Sequence, residues 1–242
     1  ALDRTPIQSI YKSRTVYGFP PPSSGGIHHA QMLGMLGTYD LGELFRESEA
    51  TARHLQLEVM KRAMADRAYW LGDSDFAKVP RGLLDPRYLA DRASSIDLGR
   101  ATPIASHGTP PKSDVDLFGN GGHTTHLTTA DAEGNVVALT QTINTTFGSK
   151  MIVPGTGVVL NNEMDDFSIA PGVRNAFGLL GSEANVIAPG KRPLSSMSPT
   201  IVVDENGSPI LSCGAAGGPK IITSVLQVML RVMELGETID QA

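Results

Sequence analysis

Gly119, Asn120, Gly121, Gly122 and His123 stand directly before Thr124, which opens the threonine-rich run "TTHLTTAD". A threonine hydroxyl is a weak nucleophile unless a base lies beside it, and an N-terminal threonine carries that base as its own α-amine. Such an amine titrates at roughly 7.7–8.0, so a useful fraction is neutral near pH 7. Mid-chain, the amine is released only if the preceding peptide bond is cut. The hydroxyl would attack the preceding carbonyl to give an ester, which water then hydrolyses. Glycines before the bond allow the strained backbone this attack requires. The pattern suggests a cleavable joint between His123 and Thr124. Taken alone, the same residues also fit a plain turn before a strand, because threonine is β-branched and favours strands. His123 and His126 read either as catalytic partners or as polar strand-edge residues.

Other chemistry-bearing residues read more simply. His28 and His29 are adjacent on an expected helix, cannot share a metal, and are read as structural. Cys213 is the single cysteine, so no intrachain disulfide forms; in a strand-like run it reads as a small core residue. No Cys/His spacing resembles a zinc site. "GAAGGPK" fails the phosphate-loop pattern, which ends in Gly-Lys-Ser/Thr with a Gly upstream. "MDDFS" and "SSMSP" read, each by itself, as a turn and a cap. The chain of 242 residues has a net charge of −5 with scattered basic residues, which excludes an electrostatic footprint for nucleic acid or an anionic membrane. Its longest apolar runs are too short to span a bilayer, so a soluble protein is expected.

The elements that would position these residues follow from periodicity. "IQSIY" and "RTVYGF" alternate across "KS" and predict a hairpin. "PPPSSGG" breaks regular structure, with Ser24 or a neighbour expected to cap a helix starting near Ile27. A helix is expected from about Ser48 to Leu71, with apolar rows Leu55, Val59, Ala63 and Leu57, Met60, Met64. Asp85-Pro86 reads as a helix start. "HGTPPKSDVDLFGNGG" reads as an irregular loop. "TTHLTTAD" and "NVVALTQT" predict a second hairpin, and "PTIVVD" and "PILSC" a third across "ENGS". "IITSVLQVMLRVMEL" predicts a helix with its methionines inward. Helices, then hairpins, then a covering helix suggest packed sheets with helices outside. "GETIDQA" resembles the start of a further helix. With no initiator methionine, the chain reads as a central fragment whose targeting segment would lie elsewhere.

"PPPSSGG", "TTH", "NTTFG", "NNEMDDFS", "KRPLSSMSPT" and "GAAGGPKIIT", in this order, resemble the γ-glutamyltranspeptidase family of N-terminal nucleophile hydrolases. The resemblance covers nearly the whole chain. It implies an α+β fold, a four-layer αββα sandwich, incomplete in this chain. It also implies a self-cleaving precursor. Residues 1–123 would then be the C-terminal part of the large-subunit region and 124–242 the N-terminal part of the small one, together forming one domain. Thr124 matches the nucleophile and Thr142 the threonine that supports it. Asn144, Glu163 and Asp166 match groups at the substrate's α-amino end, and Ser195 and Ser196 those at its α-carboxylate. Gly217 and Gly218 match the oxyanion-hole donors, and Phe177 lies where an aromatic gate usually does.

The implied reaction is γ-glutamyl transfer or hydrolysis of glutathione and similar amides through a threonine ester, to water or an amino-acid or peptide amine. It needs no metal or organic cofactor. The implied compartment is periplasmic or extracellular, and the implied assembly is a large/small-subunit heterodimer. The family's α-carboxylate arginine comes from a region absent here, so weak carboxylate binding and an inactive fragment are expected, with exposed faces prone to association. The alternatives are a glutaryl or cephalosporin acylase and an inactive binding relative.

Overall fold

The computed structural model describes residues 3–104, 106–110, 124–175 and 177–242. Strands β1 (Ile7–Tyr11) and β2 (Arg14–Gly18) form the expected opening hairpin, and β5 (Thr200–Val203) and β6 (Pro209–Cys213) form another. β2 pairs antiparallel with β5, giving a four-stranded sheet in the order β1-β2-β5-β6. β3 (Thr125–Ala130) and β4 (Val136–Gln141) make a separate two-stranded sheet.

Alternation along the strands assigns their faces. Val16, Val202, Leu211 and Cys213 point into the core, which is closed by α1 (Gly25–Leu36), α3 (Glu49–Trp70), α4 (Pro86–Ser94) and α5 (Lys220–Leu235). A short α2 (Leu41–Glu47) joins α1 to α3. On α5, Ile222, Leu226, Met229 and Met233 are buried, so the methionine stripe faces inward as expected. Each such side chain contributes about 1.5–3 kcal/mol of burial.

The opposite face of the four-stranded sheet meets the β3–β4 hairpin. There Thr128 Oγ1 lies 3.0 Å from Ser212 Oγ, and His126 Nδ1 lies 2.8 Å from Thr140 Oγ1. The hairpin's outer residues, Leu127, Val137 and Leu139, are exposed. Among the described residues the order is therefore helices, sheet, sheet, an α+β arrangement.

Two expected helix starts carry side-chain caps. Ser48 Oγ accepts from Thr51 N (3.2 Å) and Asp85 Oδ1 from Arg87 N (2.8 Å). Ser24 differs, because its side chain caps nothing at α1 and donates instead to the Ser195 carbonyl (2.9 Å). α1 starts so close to its neighbours that a Cβ on Gly25 would lie 2.3 Å from Met197 O, and one on Gly26 2.5 Å from Phe19 O. "PPPSSGG" and "PLSSMS" are thus laid against each other, with Ser195 N donating to Pro22 O and Ser24 N to Ser195 O, both 2.9 Å.

α3 keeps part of its expected second row, with Met60 buried and Met64 half-buried, and departs from it at Leu57. Leu55, Val59 and Ala63 are fully buried, but Leu57 is 59% exposed. A further buried face carries Glu58, Arg62, Asp66 and Arg67. Hydropathy periodicity is blind to charged residues that are buried because they are paired. Arg62 donates to Glu58 Oε2 (2.7 Å), Arg92 O and Ser95, and Asp66 accepts from Gln31, Tyr88, Arg92 and Gly108 N. Gly236, at φ +67°, ends α5, and the "GETIDQA" segment then makes a single turn in which Gln241 N and Ala242 N both donate to Thr238 O, the second with the spacing of a first helical bond.

Candidate active site

Antiparallel register brings the two expected threonines together. Thr125 opposes Gln141, so the next opposed positions at the open end of the hairpin are Thr124 and Thr142. Both line a cavity of about 380 Å³, together with Asn144, Asp166, Phe177, Ser196, Gly217 and Gly218. Residues from five of the six sequence motifs, joined by Phe177, thus converge on one concave surface.

Each wall has a local cause. Thr142 Oγ1 accepts from Asn144 N (3.3 Å), which leaves the Thr142 proton for another partner. Asn144 sits at φ +75°, a conformation asparagine tolerates better than most residues, and its amide donates to Asn162 O (3.0 Å). Asn162 Oδ1 accepts from both Thr145 N and Thr145 Oγ1, closing the loop.

The short 3₁₀ turn Glu163–Asp166 presents Asp166 to the same cavity. The Asp166 carbonyl accepts from Asn175 Nδ2 (3.1 Å) and Asn185 Nδ2 (2.9 Å). Asn175 Oδ1 in turn accepts from Phe177 N and Leu179 N, both 3.0 Å, so one side chain fixes Asp166 and the Phe177 loop together. The Phe177 ring lies against Gly218, where an added Cβ would come within 3.3 Å of it.

Gly217 (φ +124°) and Gly218 (φ +59°) precede the first turn of α5, with their carbonyls accepting from Lys220 N and Ile221 N. Among the described residues neither glycine amide donates to a backbone carbonyl. They sit at the positive end of a 16-residue helix, where exposed N–H groups favour negative charge.

Ser196 forms the floor. Its Oγ accepts from Arg67 Nη2 (3.1 Å), while Arg67 Nε donates to Ser24 Oγ (3.1 Å). Arg67 is only 4% exposed. Burial pushes its guanidinium down to about 10, against the pull of Asp166, and leaves it charged at neutral pH.

Some expected residues lie elsewhere. Glu163 is on the same turn as Asp166 but does not line the cavity. Ser195 is buried behind it, with its hydroxyl accepting from Met197 N. His123 and the glycines before it lie outside the described residues. His126 is on the inner face of its strand and does not line the cavity; burial lowers its basicity. His28 and His29 are buried in α1, and desolvation pushes them down to about 3 and about 4. His28 faces two carbonyls, Ser24 O and Ala63 O, and as a neutral ring donates to only one. The Cys213 thiol is buried and pushed up to about 12, unsuited to nucleophilic work. Among the described residues no cluster of His, Cys, Asp and Glu could hold a metal, and no helix is long and apolar enough to cross a membrane.

Three residues carry no readable signal in the sequence. Asn175 and Asn185 give none because their function is to hold a loop fixed only in three dimensions. Arg67 sits among charged residues of a helix and looks like solvent-facing surface.

The chain matches the family model described as Gamma-glutamyltranspeptidase over residues 2–242. It is 44% identical to the glutathione hydrolase proenzyme of Escherichia coli, over 100% of this chain and 41% of that protein. It is 42% identical to the glutathione hydrolase proenzyme of Pseudomonas aeruginosa, over 99% of this chain and 42% of that protein. The chain thus spans about two fifths of the length of these relatives. Among solved structures, the cephalosporin acylase from Bacillus halodurans superposes with a TM-score of 0.78 at 27% identity, covering 96% of this chain and 38% of that one. With the family model matched over residues 2–242 and these relatives aligned over all or nearly all of its length, the chain belongs to the γ-glutamyltranspeptidase family.

Proposed function

We propose that the full natural protein carrying this chain transfers γ-glutamyl groups from amides such as glutathione to water or an amine, through an ester on Thr124. The observation that supports this most is the shared cavity of Thr124, Thr142, Asp166, Ser196, Gly217 and Gly218. In this reading Thr124 is freed by cleavage of the His123–Thr124 bond, making residues 1–123 and 124–242 parts of two subunits of one domain. The α-amine takes the hydroxyl proton as Oγ attacks the γ-carbonyl. The tetrahedral oxyanion is met by the Gly217 and Gly218 amides at the helix start. The intermediate collapses as the leaving amine takes a proton from the α-ammonium, and water or an acceptor amine then opens the ester.

The acyl group's far end is a zwitterion. Asn144, Asp166 and neighbouring Glu163 suit its ammonium; Ser196, backed by Ser195, suits its carboxylate. Phe177, packed on Gly218, would gate the entrance. The relatives' names as glutathione hydrolase proenzymes support both the substrate and the processing. Replacing Thr124 with Ala in the full protein is expected to leave one uncut chain without turnover; two bands on a denaturing gel would overturn the cleavage step.

A second reading, an acylase for glutaryl side chains, is favoured by the acylase superposition. A glutaryl group has no ammonium to meet the Asp166 carboxylate, so it forgoes a charge-assisted contact that a γ-glutamyl group would make. Faster turnover of a γ-glutamyl than a glutaryl anilide is expected, and the reverse order would favour the acylase.

A further inference from the structure

We propose that Arg67 is a positioning residue: donating to Ser196 Oγ from behind, it fixes that hydroxyl as a donor into the cavity, toward the carboxylate of the acyl group. The inference rests on the cavity being an acyl site.

A guanidinium has five N–H donors and no acceptor. In the 3.1 Å contact between Arg67 Nη2 and Ser196 Oγ, the serine oxygen is therefore the acceptor, and its proton must point elsewhere. Among the described residues that hydroxyl donates to no protein acceptor, and Ser196 lines the cavity. The proton is left for a ligand.

The guanidinium's own orientation is set by a second serine. Arg67 Nε donates to Ser24 Oγ, whose proton goes to the Ser195 carbonyl at 2.9 Å. Two bonds from a planar fork hold it in one plane, which a lysine ammonium could not reproduce. The arrangement joins the helix α3, the "PPPSSGG" segment and the "PLSSMS" segment at a single buried cation. That cation also feels the charge of Asp166, which lines the same cavity, so the site offers both a hydroxyl donor backed by a cation and a carboxylate. A ligand end carrying both charges matches this polarity.

The test compares three anilides in the full natural protein, in single-turnover mode with enzyme in excess so that slow substrates stay measurable. γ-Glutamyl carries an ammonium and a carboxylate, glutaryl only the carboxylate, and 4-aminobutyryl only the ammonium. Arg67→Met is expected to weaken the two carboxylate-bearing substrates about tenfold, through the half-saturating enzyme concentration rather than the limiting rate, and to change 4-aminobutyryl less than about twofold. Ser196→Ala should show the same pattern, and the double variant should be no worse than Arg67→Met. Arg67→Lys, which keeps the charge, should recover part of the loss.

Equal losses on all three substrates would overturn the inference, leaving Arg67 as a brace of the fold. If Arg67→Met does not fold, Arg67→Lys carries the same comparison: a loss confined to the carboxylate-bearing substrates supports the inference, and an equal loss on all three overturns it. Wild-type preference for glutaryl would overturn the γ-glutamyl reading but leave the Arg67 inference standing, because both substrates bear the carboxylate. No turnover of any substrate would overturn both.

Discussion

The buried face of α3 and the wall of the cavity use the same polar residue types to opposite ends. On α3 the charges are saturated: Asp66 accepts four hydrogen bonds and Arg62 donates to a carboxylate, a hydroxyl and carbonyls. At the cavity the supporting atoms are bonded on the protein side only. Ser196 accepts from Arg67, Thr142 accepts from Asn144, and the left-handed Gly217 and Gly218 present their amides at a helix start. The difference separates holding a fold from holding a ligand. The first consumes hydrogen-bonding capacity, whereas the second orients groups and leaves their outward capacity unspent.

The comparison breaks most directly at Glu58. Glu58→Gln in the full protein leaves Arg62, fully buried, facing only neutral acceptors, and is expected to cost about 3–5 kcal/mol. Chemical denaturation measures this. Substrate preference among the folded molecules should not change, and an altered preference would mean the two regions are not separable. Gly218→Ala probes the other side. An added methyl at φ +59°, within 3.3 Å of Phe177, should shift the amides and lower kcat about 100-fold, or about 3 kcal/mol in the transition state. Its denaturation midpoint should change far less than that of Glu58→Gln.

A smaller effect is readable by pH. His28 and His29 titrate at about 3 and about 4 in the folded protein, below the 6.5 of an unfolded histidine. Their folded values are depressed, so the unfolded chain binds protons first as pH falls. Stability should therefore decline from about pH 6.5 downward, by about 2 kcal/mol per histidine at pH 5. Glu58, pushed down to about 2 by its hydrogen bonds to Lys61 and Arg62, which outweigh its burial, loses its contribution only below its ordinary value of 4.5. Between pH 6.5 and 4.5 the slope thus belongs to the histidines, chiefly His28 and His29, with His126 adding to it in the same direction. His29→Gln should roughly halve it; a flat profile between pH 7 and 5 would contradict neutral burial.

Much of this is legible in the sequence. All three hairpins, the helix starts near Ser48 and at Asp85, and the inward methionines of α5 follow from period and turn chemistry, which are local. The family motifs single out Thr124, Thr142, Asn144, Asp166, Ser196, Gly217, Gly218 and Phe177, and these residues surround one cavity. Failures come where burial is decided by distant partners. Leu57 reads as core yet faces solvent, because Glu58 and Arg62 on the neighbouring face find partners on α4 and just beyond it. Ser24 reads as a helix cap, yet Ser195 lies closer in space than the helix amides do along the chain. Arg67 is illegible for the same reason: its partners are 43 and 129 residues away.

The central claim is that Thr124 carries the acyl group. Rapid acid quenching of the full protein during turnover of a γ-glutamyl anilide, followed by peptide mapping, tests it directly. The account predicts a γ-glutamyl adduct on the peptide that begins with Thr124. An adduct on any other residue, or steady turnover with that peptide unmodified at every time point, would contradict it.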